Sequence, residues 1–289
     1  MELVNYARFL FDINEHGFEY AVRHTTELGF RHVEFVDGCI SSREKPLFFE
    51  RPWAKDAPSI LAECGLDVPC YSVGATVYSG DREYDEGIFR NMCKQVDFAA
   101  RLGAPMLHHT LNFGLSLSSG APTYDELLEG TVDMAVRIAD YAREKHGITC
   151  IYEPQGMYFN GVAGLGKFFD AVSSRCPNVG ICGDVGNGYF VDEDEVSIFE
   201  RFAPYVKHVH LKDYVISDTP IDGKQGFRSR GGRWIYDVPL GAGVVNFARV
   251  FELLKGAGYK GQASLEVLED GEELLAAAAL AQSYIDGVK

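Results

Sequence analysis

The chain is short of positive charge. Against 42 aspartates and glutamates it has 27 lysines and arginines, a formal net charge of −15, whereas a protein that grips a phosphate backbone needs a basic face. Nucleic acid is therefore not an expected partner. No apolar run approaches membrane-spanning length, and the opening Met-Glu-Leu-Val-Asn-Tyr has no basic stretch followed by an apolar one. The expectation is a soluble, cytoplasmic protein with no membrane partner. The seven cysteines (39, 64, 70, 93, 150, 176 and 182) form no Cys-x-x-Cys pair, are odd in number and often sit inside apolar patterns, which suits reduced core thiols better than a disulfide framework. A Pro-, Gly- or Ser-rich linker is missing too. One domain over residues 1–289 is the simplest count, and 46% hydrophobic content is ample for its core.

What is present is a β-then-α rhythm, the signature of parallel strands joined by crossover helices. Strands are expected over 3–9, 32–36, 68–73, 106–110, 148–153, 179–184, 206–213 and 262–267. Helices are expected over 18–28, 53–64, 86–102, 123–146, 162–174, 193–202 and 246–255, with a last one beginning after Asp270. Glycines at 29, 65, 103 and 147 act as helix stops, and Thr123-x-x-Glu126 reads as a capping box. About eight strands is the number that closes a (β/α)8 TIM barrel. Residues 214–243, after the seventh strand, are too long and too rich in Gly and Arg for a simple connection, and are expected to be a long functional loop.

The seventh strand, Val-Lys-His-Val-His-Leu-Lys-Asp (206–213), alternates so that His208, His210 and Lys212 share one face and Val209 and Leu211 the other. Polar groups stacked on a buried strand are costly unless something binds them. Three other strands end in Glu153, Asp184 and Glu266, and in a barrel of this kind chemistry sits at the C-terminal strand ends. Three carboxylates brought together raise one another's pKa unless a cation neutralises them. With one imidazole, the set suits Mn²⁺, Mg²⁺, Co²⁺ or Zn²⁺. Taken singly, each residue has a plainer reading as a helix cap or ion-pair partner.

Around this set, His208 lies one layer deeper and is either structural or a substrate contact. Lys212 and Asp213 either meet substrate or pair at the rim. Of His108 and His109, one is a candidate base or substrate contact and the other a loop residue. The basic cluster Lys224, Arg228, Arg230 and Arg233, with Trp234 and Tyr236, is either a lid recognising an anionic or polyhydroxylated ligand or a solvated loop. Gly161-Val-Ala-Gly-Leu-Gly166 lacks the context of a dinucleotide fingerprint, and Leu240-Gly-Ala-Gly243 reads as a close-approach turn.

The motifs Glu-Leu-Gly-Phe-Arg-His-Val-Glu (27–34), Tyr-Glu-Pro (152–154), Gly-Asp-Val-Gly-Asn (183–187), His-Val-His-Leu-Lys-Asp (208–213), Pro-Leu-Gly-Ala-Gly (239–243) and Ser-Leu-Glu-Val (264–267) carry a resemblance. Over nearly its whole length the chain resembles the xylose-isomerase-like barrel superfamily of sugar phosphate isomerases and epimerases, and ketose 3-epimerases in particular. The resemblance implies one divalent metal, Mn²⁺ for preference, held by Glu153, Asp184, His210 and Glu266, with Glu153 and Glu266 also moving the proton. It implies an isomerase or epimerase acting on a ketose or keto-sugar through an enediolate. Two alternatives stand beside it. One is a lyase or dehydratase that eliminates from a keto-sugar, keto-inositol or 3-keto-glycoside; the other is a non-catalytic sugar-binding barrel. The partner is a small sugar, and self-association into a homo-oligomer is left open. Relatives usually have His three residues after the ligand Asp; here Asn187 stands there, a candidate substrate contact. The third strand offers Ser72, Val73 and Gly74 where multi-zinc endonucleases have His, so a multi-zinc site is not expected.

Overall fold

The computed structural model of the chain describes residues 1–37, 46–112 and 122–287; Cys39, one of the expected thiols, lies outside them. Its strands are β1 (Leu3–Asn5), β2 (Phe35–Asp37), β3 (Tyr71–Val73), β4 (Met106–His109), β5 (Thr149–Tyr152), β6 (Val179–Asp184), β7 (Val206–Leu211), β8 (Asp213–Ser217), β9 (Phe227–Arg228), β10 (Trp234–Val238) and β11 (Ala263–Leu265). Eight of them form one parallel sheet in the order β1-β11-β7-β6-β5-β4-β3-β2. The ring closes through a parallel bridge between Asn5 and Val33: Asn5 N donates to His32 O and Glu34 N to Asn5 O, each at 3.0 Å. The result is the expected (β/α)8 barrel.

Helices α1 (Ala7–Glu15), α2 (Phe18–Glu27), α3 (Ala57–Glu63), α4 (Arg82–Arg101), α5 (Tyr124–His146), α6 (Gly161–Ser173), α7 (Glu195–Phe202), α8 (Phe247–Gly256) and α9 (Gly271–Gly287) clothe the barrel. Local chemistry sets many of their ends. Thr123 and Glu126 form the capping box of α5, and Gly147 stops it at a φ of 70°, a left-handed conformation glycine adopts without strain. Asp194 and Asn246 accept from backbone N–H groups at the starts of α7 and α8. Outward-facing Phe35, Tyr71, Leu107, Tyr152, Val209 and Leu265 pack with the helices in one continuous apolar core. Inside the barrel, Cys70, Ile151 and Cys182 form a small separate apolar plug. No helix among the described residues is long and apolar enough to cross a membrane.

Three sequence expectations change. The first strand stops at Asn5 instead of running to residue 9, because the Asn5 side chain accepts from Phe9 N at 3.2 Å and turns the chain into α1. The helix expected over 53–64 is a 3-10 turn (Pro52–Lys55) followed by α3. The segment read as a long loop over 214–243 contains an antiparallel sheet in the order β8-β10-β9, in which Trp234 to Val238 pair against Asp213 to Ser217.

Candidate metal centre

Strand register assembles the site. Asp184 of β6 and Ser264 of β11 both pair with His210 of β7, so their side chains point the same way into the barrel. Glu153 follows the end of β5, and Glu266, whose N–H donates to Leu211 O at 2.9 Å, follows β11. The His210 Nδ1 atom then lies 3.3 Å from Glu153 Oε2, 3.6 Å from Glu266 Oε2 and 4.0 Å from Asp184 Oδ2. The four candidate ligands converge on one another, and apart from Glu266 they are buried.

A divalent cation fits this set. Glu153 Oε2, Asp184 Oδ2 and His210 Nδ1 are buried without a hydrogen-bond partner, and such atoms are rare unless something satisfies them. Ligand atoms of Asp184, His210 and Glu266 fall within 4.8 Å of one another, and three carboxylates with one imidazole nitrogen form a hard-to-borderline donor set. Lys212 Nζ also lies 2.9 Å from Asp184 Oδ2, an ion contact not aligned as a hydrogen bond, and 2.8 Å from Glu266 Oε2.

The electrostatics separate the two glutamates. Burial works to raise the Glu153 carboxyl, but His108, His210 and Lys212 outweigh it and hold the group down at about 2. Burial raises Glu266 to about 7, with Asp184 adding to the shift and Lys212 opposing it. Burial alone would discharge Lys212; Asp184 and Glu266 keep its ammonium well above the usual lysine value.

The remaining candidates divide. His108 points into the barrel, with Nε2 3.5 Å from Glu153 Oε1. His109 faces the other way. Its Nδ1 meets Thr110 O at 3.0 Å, its ring packs edge-on against Tyr152, and burial lowers its pKa to about 4. Asn187 Oδ1 accepts from Lys212 Nζ at 3.2 Å, while its Nδ2 is buried without a partner. Asp213 is committed to the backbone: it accepts from the N–H groups of Tyr214, Gly241, Gly243 and Val245 at 2.8–3.1 Å. A Cβ at Gly243 would come within 2.2 Å of Asp213 Oδ1, which explains that turn. Arg228 stacks over Trp234 at 4.6 Å, and an Arg230 guanidinium nitrogen donates to Met157 O. These are contacts within the β8-β10-β9 sheet and the β5–α6 connection, not with the four ligand candidates. Asp192 ties that sheet down by accepting from Ser229 Oγ and Gly231 N, each at 2.6 Å.

Sequence reasoning missed the layer beneath. Glu34, fully buried, takes the Ser72 and Ser264 hydroxyls and lies 3.1 Å from His210 Nε2 and 2.9 Å from His208 Nε2. Burial opposes its ionised form, but His210 and His208 outweigh that and hold the carboxyl well below the usual range. Tyr6 stacks on the His210 ring at 4.8 Å. His208, weighed as a substrate contact, is instead enclosed with Glu34 and Ser264.

A profile of the xylose isomerase-like TIM barrel family matches residues 22–285. The inosose dehydratase of Serratia proteamaculans (strain 568) is 28% identical over 152 residues, 50% of this chain and 49% of that protein. The chain thus spans about half the length of the curated relatives it matches. Among solved structures, the IOLI protein with a bound zinc atom superposes with a TM-score of 0.74 at 13% identity, covering 100% of this chain and 99% of that one. L-ribulose 3-epimerase superposes with a TM-score of 0.73 at 18% identity, covering 99% and 95%. At these identities the two structures speak to the fold.

Proposed function

Since the chain belongs to the xylose isomerase-like TIM barrel family, we propose that it is a divalent-metal-dependent sugar isomerase or epimerase that removes the proton α to the carbonyl of a ketose or keto-sugar. The observation that carries this reading is the convergence of Glu153, Asp184, His210 and Glu266 at the barrel's strand ends. Two glutamates beside one ion are placed to serve as a base and an acid.

Glu153, Asp184, His210 and Glu266 would hold the ion, which supplies Lewis-acid polarisation of a carbonyl and a neighbouring hydroxyl. The residues of the chain do the rest. Glu153, ionised, takes the α-proton on a carboxylate oxygen, and Glu266 gives one back from its own side of the substrate. Delivery to the opposite face of the same carbon yields the epimer; delivery to the adjacent carbon yields the isomer. Positioned groups of this kind contribute about 10²–10⁴ in rate. The Asn187 Nδ2, buried without a partner, is a donor available to a substrate oxygen.

A second reading is elimination. It is favoured by the 28% identity to an inosose dehydratase over half the chain. There Glu153 takes the α-proton and the proton of Glu266 leaves with a β-hydroxyl as water.

Incubation with a divalent metal in D₂O and a panel of free ketoses, ketose phosphates, keto-inositols and 3-keto-glycosides separates these. Deuterium at the α-carbon with inversion or carbonyl migration is the expected result. A dehydrated enone moves the assignment to the lyase. No exchange into any ketone removes enolisation and leaves a sugar-binding barrel.

A further inference from the structure

We propose that Glu34 is the positioning residue of the metal centre, and that it fixes His210 in the tautomer whose Nδ1 is free to bind a divalent ion. The proposal rests on the metal-centre reading above. Glu34 Oε1 accepts the Ser72 hydroxyl and lies 3.1 Å from His210 Nε2; Oε2 accepts the Ser264 hydroxyl and lies 2.9 Å from His208 Nε2. An ionised carboxylate only accepts, so the ring nitrogen of His210 that faces it must carry a proton. A divalent ion would then displace the proton of Nδ1, the atom that faces Glu153, Asp184 and Glu266, and leave Nε2–H on Glu34. With the proton on Nδ1 instead, two acceptors would meet at Nε2 and an N–H would point at the ion's place. The ring has little freedom to choose otherwise: Tyr6 stacks on it, and His108 and His208 stand edge-on at 5.3 and 5.6 Å.

The same carboxylate reaches a second imidazole. Because Ser72 gives its hydroxyl proton to Glu34, its oxygen accepts from His108 Nδ1 at 2.9 Å. His108 Nε2 is buried without a hydrogen-bond partner 3.5 Å from Glu153 Oε1. Glu34 therefore holds the Nε2–H of His210 directly and the Nδ1–H of His108 through Ser72, and turns the other nitrogen of each ring toward Glu153. Carboxylates behind metal-binding histidines generally act this way, and their loss weakens metal binding about 10–100-fold.

Two measurements test this. Nitrogen-15 spectra of histidine-labelled, zinc-loaded wild type should show His210 bound through Nδ1 with Nε2 protonated, and His108 protonated at Nδ1. Zinc titrations of Glu34→Gln, which removes the charge, and Glu34→Asp, which keeps the charge but shortens the reach, should both show about 10–100-fold weaker binding. Loss in Glu34→Gln with wild-type affinity in Glu34→Asp means that only charge matters and overturns the proposal, as does His210 binding zinc through Nε2. Should both variants fail to fold, the wild-type tautomers decide alone. Should the wild type take up no zinc, the metal-centre reading falls, and spectra of the protein as it stands still decide which His210 nitrogen carries its proton toward Glu34.

Discussion

The two halves of the barrel are built from the same βα unit but contribute differently to the site. The candidate ligands all come from β5, β6, β7 and β11, at or just past their C-terminal ends. The stretch from β1 to β4 contributes Tyr6, Glu34, Ser72 and His108, which touch one another or the ligands rather than completing the set. One half offers three carboxylates and an imidazole whose ligand atoms converge; the other, apart from the unpartnered His108 Nε2, offers a paired polar floor. The difference teaches that inward-pointing polarity alone does not mark a ligand. What marks it is convergence of several donor atoms on one place.

The sharpest break of that comparison is by substitution. Glu153→Gln and Glu266→Gln are each expected to lower turnover by about 10²-fold or more with the fold retained by circular dichroism, whereas Ser72→Ala should leave turnover measurable. An equal loss from Ser72→Ala would erase the distinction between the halves. Next in size is an effect of pH on stability. His109 titrates at about 4 when folded and about 6.5 when unfolded. The unfolded state therefore binds more protons between those values. The stability that results is fully present above about pH 6.5 and falls by about 3 kcal/mol as pH drops to about 4. Urea unfolding at pH 7 and pH 5 should show a smaller pH effect in His109→Phe; an unchanged effect would put His109 outside the core.

Metal loading comes third. A divalent ion at about 100 times its Kd should stabilise the protein by about 2.7 kcal/mol, with calorimetry giving one site per chain. Two or more tight sites would make the first half a ligand donor as well. The smallest expected effect is that of Asp213→Asn. It faces an amide N–H₂ toward backbone donors, and should cost about 1–3 kcal/mol in stability with kcat little changed. Lost activity at full stability would return Asp213 to the substrate.

Much of this was legible in the chain. The alternation in β7, the stops at Gly29 and Gly147 and the Thr123 box are signals carried within a few residues. Three of the four ligand candidates were legible as carboxylates closing apolar strands, and His210 through the alternation of β7. Glu34 was not, because it sits inside His-Val-Glu-Phe-Val like any strand residue, and its partners are 38, 174, 176 and 230 positions away. His108 and His109 had to face opposite sides, but which of them faced inward depended on the register of β4 against β3. The β8-β10-β9 sheet was hidden by its glycines and arginines, although Trp234 to Val238 can be read as a strand once a partner is at hand.

The bridge between Asn5 and Val33, together with the pairing of Leu3 with Ala263, has a consequence for how the barrel is made. A nascent chain that has not yet extruded Ala263 holds β1 and β7 as open edges, and open edges recruit other strands. It also lacks Ser264 and Glu266, one partner of Glu34 and one candidate ligand. Contacts spanning such sequence distances slow folding. Completion of the candidate ligand set and closure of the ring thus await the same last strand, and a chain stalled before it exposes the polar interior that the finished barrel encloses.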